Sequence, residues 1–382
     1  MTLKLAQRSR IAPFIVMDVL RAANERAAAG GDVLHLEVGQ PSTPAPKGVL
    51  AAARRALDSE VLGYTETLGL PALRQAIAKD YARSDGVALD PARVVVTTGS
   101  SAAFVLAFLA AFDPGDRVAL AAPGYPAYRN ILQALGLVPV ELPTGPNERY
   151  QPTIELLHKH AQGIEGLIVA SPANPTGTML PPQELAALTR HCEAAGIRLV
   201  SDEIYHGITY GTVARTALVS SNSAIVVNSF SKYFSMTGWR IGWMVVPEDM
   251  LRAVECLAQN LFIAPPSLSQ HAALAAFDCR AELDANVARY AVNRALLLEE
   301  LPKAGIERFA PVDGAFYLYA DVAHITNDSR ELCRRWLSEI GVACTPGVDF
   351  DQRRGSATVR LCFAGSTATI AEAARRLRAW RR

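Results

Sequence analysis

The chain has 382 residues, of which 50% are hydrophobic and 20% charged, with a formal net charge of +1. That length predicts two domains with ample apolar material for a large core, and the near-neutral balance excludes a global pull toward nucleic acid or a membrane surface. Six cysteines (Cys192, Cys256, Cys279, Cys333, Cys344 and Cys362) lie far apart without a CxxC pair, which excludes a zinc site or disulfide framework and favours reduced thiols.

From the N-terminus, residues 1–10 are basic but are followed by no apolar segment of signal-peptide type, since Pro13 and Asp18 interrupt the next stretch. Residues 102–112 are apolar yet too short to span a bilayer. A cytoplasmic protein with no membrane partner is expected. Strand-like runs at 94–97, 117–121, 166–170, 198–201, 224–228 and 242–246 alternate, in most cases, with segments of helical length such as 182–195. This predicts an α/β domain with a mostly parallel sheet. After Pro265-Pro266 come helical patterns from 269 toward 301, β-like runs around 315–320 and 357–363, and a last helix closed by basic residues 375–382. These read as a smaller α+β domain joined by the N-terminal region 11–38. The expected division is 1–45 (N-terminal segment of the small domain), 46–284 (large domain) and 285–382 (C-terminal part of the small domain).

Candidate functional residues directly follow the predicted strands, where open α/β sheets collect ligands. Gly99-Ser100-Ser101 offers backbone N–H groups at a helix start, either an anion site or a plain cap. Tyr125, in Pro123-Gly-Tyr125-Pro126, can stack on a flat ring or simply pack its loop. Asn174, in Asn174-Pro-Thr-Gly177, sits in a rigid turn that can aim its amide. Asp202, opening Asp202-Glu-Ile-Tyr205, can pair with a protonated ring nitrogen or cap a helix, and Tyr205 can donate a hydrogen bond or fill core. In Ser229-Phe-Ser231-Lys232 and the later Arg240, two hydroxyls and a guanidinium suit a phosphate while the lysine amine suits an aldehyde. Pyridoxal phosphate carries both groups. Arg360, a charge inside the apolar run 358–362, calls for a carboxylate, structural or substrate. No GxGxxG, GxxxxGK, HExxH or GxSxG motif occurs, which argues against nicotinamide, nucleotide, zinc-protease and serine-hydrolase chemistry.

Together with Gly39-Gln-Pro41 and Tyr64-x4-Gly69, these motifs in this order resemble the class I/II aminotransferases of pyridoxal-phosphate fold type I, the aspartate aminotransferase superfamily, over nearly the full chain. The resemblance implies a mostly parallel, seven-stranded-type sheet between helices, plus a smaller α+β domain. Lys232 would be the Schiff-base and proton-transfer residue. Asp202 would pair with the ring nitrogen, Asn174 and Tyr205 with the phenolic oxygen, and Tyr125 would stack on the ring. Ser100, Ser101, Ser229, Ser231 and Arg240 would hold the phosphate, joined by Tyr64 of a second subunit in a homodimer. Arg360, Asn174 and the backbone of Gly39 would bind the substrate α-carboxylate. The implied reaction is ping-pong transfer of an amino group between an L-amino acid and a 2-oxo acid.

Two departures bear on the substrate. Many aspartate-specific relatives place a cation in the phosphate loop or before a Pro-Pro turn, whereas this chain has Ser101 in the loop and no Arg or Lys in 258–264, so dicarboxylate specificity would need another cation. Ile11, Phe14 and Ile15 either pack as core or, as they resemble a segment that folds over the site, suit an apolar or broad amino donor. Two rival readings stand beside transamination: a fold type I lyase of the carbon–sulfur β-lyase or aminocyclopropane-synthase type, and a non-catalytic cofactor-binding regulator. The run Met236-Thr-Gly-Trp-Arg240 looks more like the aminotransferases, and no DNA-binding module fits before Gly39.

Overall fold

The computed structural model describes residues 3–380. The terminal arginines Arg381 and Arg382, expected to close the last helix, lie outside these described residues, as do Met1 and Thr2. Seven strands form the central sheet in the spatial order Val94–Thr97, Gly242–Val245, Ile225–Ser229, Arg198–Asp202, Gly166–Ala170, Arg117–Ala122, Val138–Pro143. All run parallel except Gly242–Val245, which is antiparallel to both its neighbours because the connection 230–241 doubles straight back beside the preceding strand.

Helices cover both faces, so the inner strands are apolar along their length and their side chains divide by alternation. Val94 and Val96 join one buried cluster with Val226, Trp243 and Val245. Val95 joins the opposite cluster with Ile225, Val227 and Met244. The helix Ser100–Ala111 is apolar all round and contributes Phe104 and Phe108 to this second cluster.

The strand Val138–Pro143 was not expected. It pairs only with Arg117–Ala122 and forms the sheet's edge, where Pro139 and Pro143 are tolerated because one side of the backbone needs no ladder. Proline is what obscures it in the sequence.

A four-stranded antiparallel sheet follows, in the order Thr345–Pro346, Thr358–Cys362, Tyr317–Asp321, Arg308–Phe309. Its register sets Arg360 opposite both Tyr319 and Thr345. The N-terminal strand Leu34–His35 pairs in parallel with Val342–Ala343, and Ala23 of the helix Ile15–Ala28 packs with Leu337 and Ala343. The N-terminal region thus packs against this second α+β layer. Helix Arg280–Lys303 runs continuously through positions 284 and 285. Among the described residues, no helix is long and apolar enough to cross a membrane.

Candidate active site

The carboxyl ends of the parallel strands open into a cleft. Ser100, Ser101, Tyr125, Asn174, Asp202, Tyr205, Ser231, Lys232, Arg240, Gly39 and Arg360 all line it.

Lys232 stands three residues beyond Ile225–Ser229 and donates from Nζ to the Gly39 carbonyl at 2.6 Å. Loss of water around the ammonium lowers it to about 8, and the positive charges of Arg360 and Arg240 push in the same direction. Roughly a tenth of the amine is therefore neutral at pH 7, far more than for an ordinary lysine, as a nucleophilic amine requires.

Asp202 ends its own strand and is buried at the cleft floor. Its Oδ2 accepts the Tyr128 hydroxyl, and its Oδ1 accepts the Ile204 N–H at 3.0 Å. Burial pushes the carboxyl up to about 6 against those two donors. Tyr125 meets Tyr128 edge-on at 5.2 Å and Phe14 at 5.7 Å between ring centroids.

At one end of the cleft, helix Ser100–Ala111 begins behind Gly99 with no side chain capping its first turn, leaving N–H groups free for an anion. Gly99 has a φ of 80°, where a side chain would be strained, and a Cβ there would stand 2.5 Å from Nη2 of Arg240 and push the guanidinium aside. Arg240 takes the left-handed region, with φ of 51°, and its Nη1 donates to the Thr237 carbonyl at 3.0 Å.

At the other end, Arg360 is 2% exposed. Its Nη1 donates to Asn174 Oδ1 at 2.9 Å, and its Nη2 donates to the Glu37 carbonyl and to Thr345 Oγ1. The guanidinium carbon lies 4.4 Å from the Tyr317 ring centroid and 4.8 Å from that of Phe350. Nε is buried without a hydrogen-bond partner, and such a group wants an acceptor. A Cβ at Gly39 would fall 1.8 Å from the Tyr317 hydroxyl, which explains the glycine. That hydroxyl lies 2.6 Å from the hydroxyl of Tyr205.

Two expected residues stand elsewhere. Ser229 is buried behind the cleft wall, its Oγ 2.9 Å from Ser231 Oγ and 3.1 Å from the Ile241 carbonyl, so it reaches the cleft only through Ser231. Tyr64 is 85% exposed and does not line the cleft of this chain. Of the apolar N-terminal residues, Phe14 lines the cleft while Ile11 and Ile15 do not, and Val16 and Met17 are there instead. Sequence reasoning missed Tyr128, Tyr317 and Thr237. Tyr128 sits three residues beyond Tyr125 in the Pro126–Ala134 helix, a spacing that places both on one face. Among the described residues, no group of acidic, histidine and cysteine side chains could hold a metal ion.

An anion-accepting corner, a buried acid, an amine lowered toward neutrality and an arginine short of one acceptor therefore share one cleft. These fit the phosphate, ring nitrogen and aldehyde of pyridoxal phosphate and the carboxylate of an amino acid.

Comparison with known proteins gives the same reading. The profile of "Aminotransferase class I and II" matches residues 31–377. The valine–pyruvate aminotransferase of Mycobacterium tuberculosis is 53% identical over 384 residues, covering 100% of this chain and 99% of that one. The aspartate/prephenate aminotransferase of Thermus thermophilus is 34% identical, over 95% of each chain. Among solved structures, an aminotransferase from Mycobacterium tuberculosis superposes with a TM-score of 0.97 at 54% identity, covering 99% of both chains. The Thermus thermophilus aspartate aminotransferase with maleate gives 0.93 at 33% identity, over 98% of this chain and 99% of that one. The chain belongs to the class I and II aminotransferases, and is a pyridoxal-phosphate-dependent enzyme of that fold acting on amino acids and 2-oxo acids.

Proposed function

We propose that this enzyme moves the amino group of an apolar aliphatic L-amino acid, valine among them, to a 2-oxo acid such as pyruvate, in two half-reactions at one site. One observation carries the donor class. Among the described residues, the cations lining the cleft are Lys232, Arg240 and Arg360, each with another task, while Phe14, Val16, Met17 and Val38 give it an apolar lining. A carboxylate side chain would meet no cationic partner among this chain's own lining residues, and its desolvation would go uncompensated by them. The likeness to the mycobacterial valine–pyruvate aminotransferase supports the same class.

Bound pyridoxal phosphate supplies an aldehyde that captures the amino group and a ring that disperses negative charge at Cα. Lys232 would hold the aldehyde, and its amine, lowered toward neutrality, would take the Cα proton of the amino acid. Asp202, steadied by the Tyr128 hydroxyl, would pair with the ring nitrogen. Ser100, Ser101, Ser231 and Arg240 fix the phosphate, with Ser229 holding Ser231 in place. Tyr125 would cover the ring face, while Tyr205 and Asn174 would address the phenolic oxygen. Arg360, with Asn174 and the Gly39 backbone, would bind the α-carboxylate and so orient the amino acid toward Lys232.

We further infer a homodimer in which Tyr64 reaches the partner's phosphate. The exposure of Leu57, Val61, Tyr64 and Ile263 supports that surface. Residues 46–284 are read as the large domain, with 1–45 and 285–382 forming the small one. The six free cysteines suit a reducing cytoplasm.

The test is a donor screen against pyruvate and 2-oxoglutarate. Valine is expected to exceed aspartate in kcat/KM by at least about tenfold, the discrimination that a few buried apolar contacts provide. Preference for aspartate would overturn the donor class.

A further inference from the structure

The helix Ile15–Ala28, which brings Val16 and Met17 to the cleft, begins badly by its own sequence. Its N-cap residue is Phe14, which has no side-chain acceptor to offer. The first N–H groups of a helix have no intrahelical partner and need one. Here the partner comes from more than three hundred residues away. Asp349 accepts the Ile15 N–H on Oδ1 at 3.1 Å and the Val16 N–H on Oδ2 at 3.2 Å. The carboxylate is 2% exposed, and its negative charge suits the positive end of the helix dipole. A weaker second hold is Asn130 Nδ2 on the Ala12 carbonyl at 3.2 Å.

The segment carrying Asp349 touches the substrate site at two further points. Phe350 stacks beneath Arg360, and its carbonyl accepts the Gly124 N–H at 3.0 Å, next to Tyr125. One short stretch therefore anchors the apolar roof, backs the carboxylate-binding arginine and braces the loop of the ring-stacking tyrosine. Asp349 itself does not line the cleft.

We propose that Asp349 is a positioning residue for substrate selection: its carboxylate pins the start of the N-terminal helix so that Phe14, Val16 and Met17 form a fixed apolar roof at a set height above the Arg360 carboxylate site. This rests on the apolar-donor reading above. A branched side chain long enough to touch the roof gains from its fixed position, whereas a methyl side chain gains little. Asp349 thus acts on the difference between donors rather than on the proton transfer.

The experiment compares wild type, Asp349→Asn, Asp349→Ala and Phe14→Ala as holoenzymes, with valine and alanine as donors. Asparagine keeps the shape but can accept with one oxygen only. Losing a helix cap supplied by an acid is expected to raise KM for valine about tenfold, leaving kcat and the alanine constants within about threefold. Phe14→Ala is expected to reproduce the valine defect with the cap intact. Hydrogen–deuterium exchange of the holoenzymes supplies a readout independent of turnover: the Ile15 and Val16 amides lose protection in Asp349→Asn and keep it in Phe14→Ala. Equal loss for valine and alanine, or unchanged protection of those amides in Asp349→Asn, would overturn the proposal. A wild-type enzyme that prefers aspartate would instead sink the donor reading, while the exchange arm still decides the anchor.

Discussion

The Tyr128 hydroxyl donates to Oδ2 of Asp202, and both residues are buried at the floor of the cleft. This bond and the Ile204 N–H oppose the burial that pushes the carboxyl up to about 6. Tyr128→Phe removes one of them, so Asp202 titrates higher and its charge is lost at a higher pH. A hydrogen bond to a charged group contributes about 1.5–3 kcal/mol. Cofactor binding by Tyr128→Phe at pH 6 is therefore expected to weaken by roughly tenfold to a hundredfold. Titration of cofactor-free protein by absorbance checks this, and an unshifted acid limb would show that the hydroxyl does nothing for Asp202.

Cofactor uptake by the cofactor-free enzyme has a predictable pH dependence. Lys232 must be neutral to attack the aldehyde, and its ammonium is lowered to about 8. Asp202 must be ionised to receive the ring nitrogen, and it sits at about 6. Uptake is expected to level off above pH 8, to fall about tenfold per pH unit below it, and to fall more steeply still below pH 6. Stopped-flow absorbance would show this, and a flat rate between pH 6 and 8 would contradict the lowered lysine.

Arg360→Leu removes the fork but leaves the Tyr317 and Phe350 rings to pack against each other. Loss of a paired contact to a carboxylate costs about 2–4 kcal/mol of binding, a KM rise for amino donors of roughly 30-fold to 1000-fold. Arg360→Lys is expected to recover little, because an ammonium cannot serve Asn174, Glu37 and a carboxylate from one plane between two rings. Steady-state kinetics with both variants checks this.

Glu203 tests stability rather than catalysis. Its Oε1 accepts from Ala217 N at 2.8 Å, Thr216 Oγ1 at 3.0 Å and Ser201 Oγ at 3.1 Å, yet burial pushes the carboxyl up to about 8. Burial likewise lowers the neighbouring His206, so both are uncharged near neutrality. The fold keeps a proton that the unfolded chain releases above about pH 4.3. Stability from this group is therefore full below that pH and lost as the pH climbs through 8. Glu203→Gln keeps the acceptor and removes the titration. Its melting temperature relative to wild type is expected to rise between pH 5 and 9, by roughly 1 °C for each kcal/mol recovered in a chain of this length. A pH-independent difference would contradict the raised carboxyl.

Much of this was legible before any coordinates, for a physical reason. Strands buried on both faces read as unbroken apolar runs, and ligand-binding residues follow them directly, so Gly99, Asn174, Asp202 and Lys232 could be placed in turn. The edge strand Val138–Pro143 escaped because its prolines mimic a loop. Tyr128 and Tyr317 escaped because a tyrosine whose hydroxyl serves a neighbour has the same sequence pattern as one that fills core. Asp349 carried no signal at all: its partner amides are backbone groups of Ile15 and Val16, and only the closed fold brings them together. Ser229 was legible as part of the motif, but its place behind Ser231 was not.

Lys232 as the residue that carries the amino transfer is tested most directly by a single half-reaction. Holoenzyme at known concentration is mixed with excess valine and no acceptor, and the released 2-oxo acid is quantified. The account predicts about one equivalent per subunit, with the cofactor left in its amine form, and none from Lys232→Ala. Continuous release accompanied by free ammonia, or a full equivalent from Lys232→Ala, would contradict it.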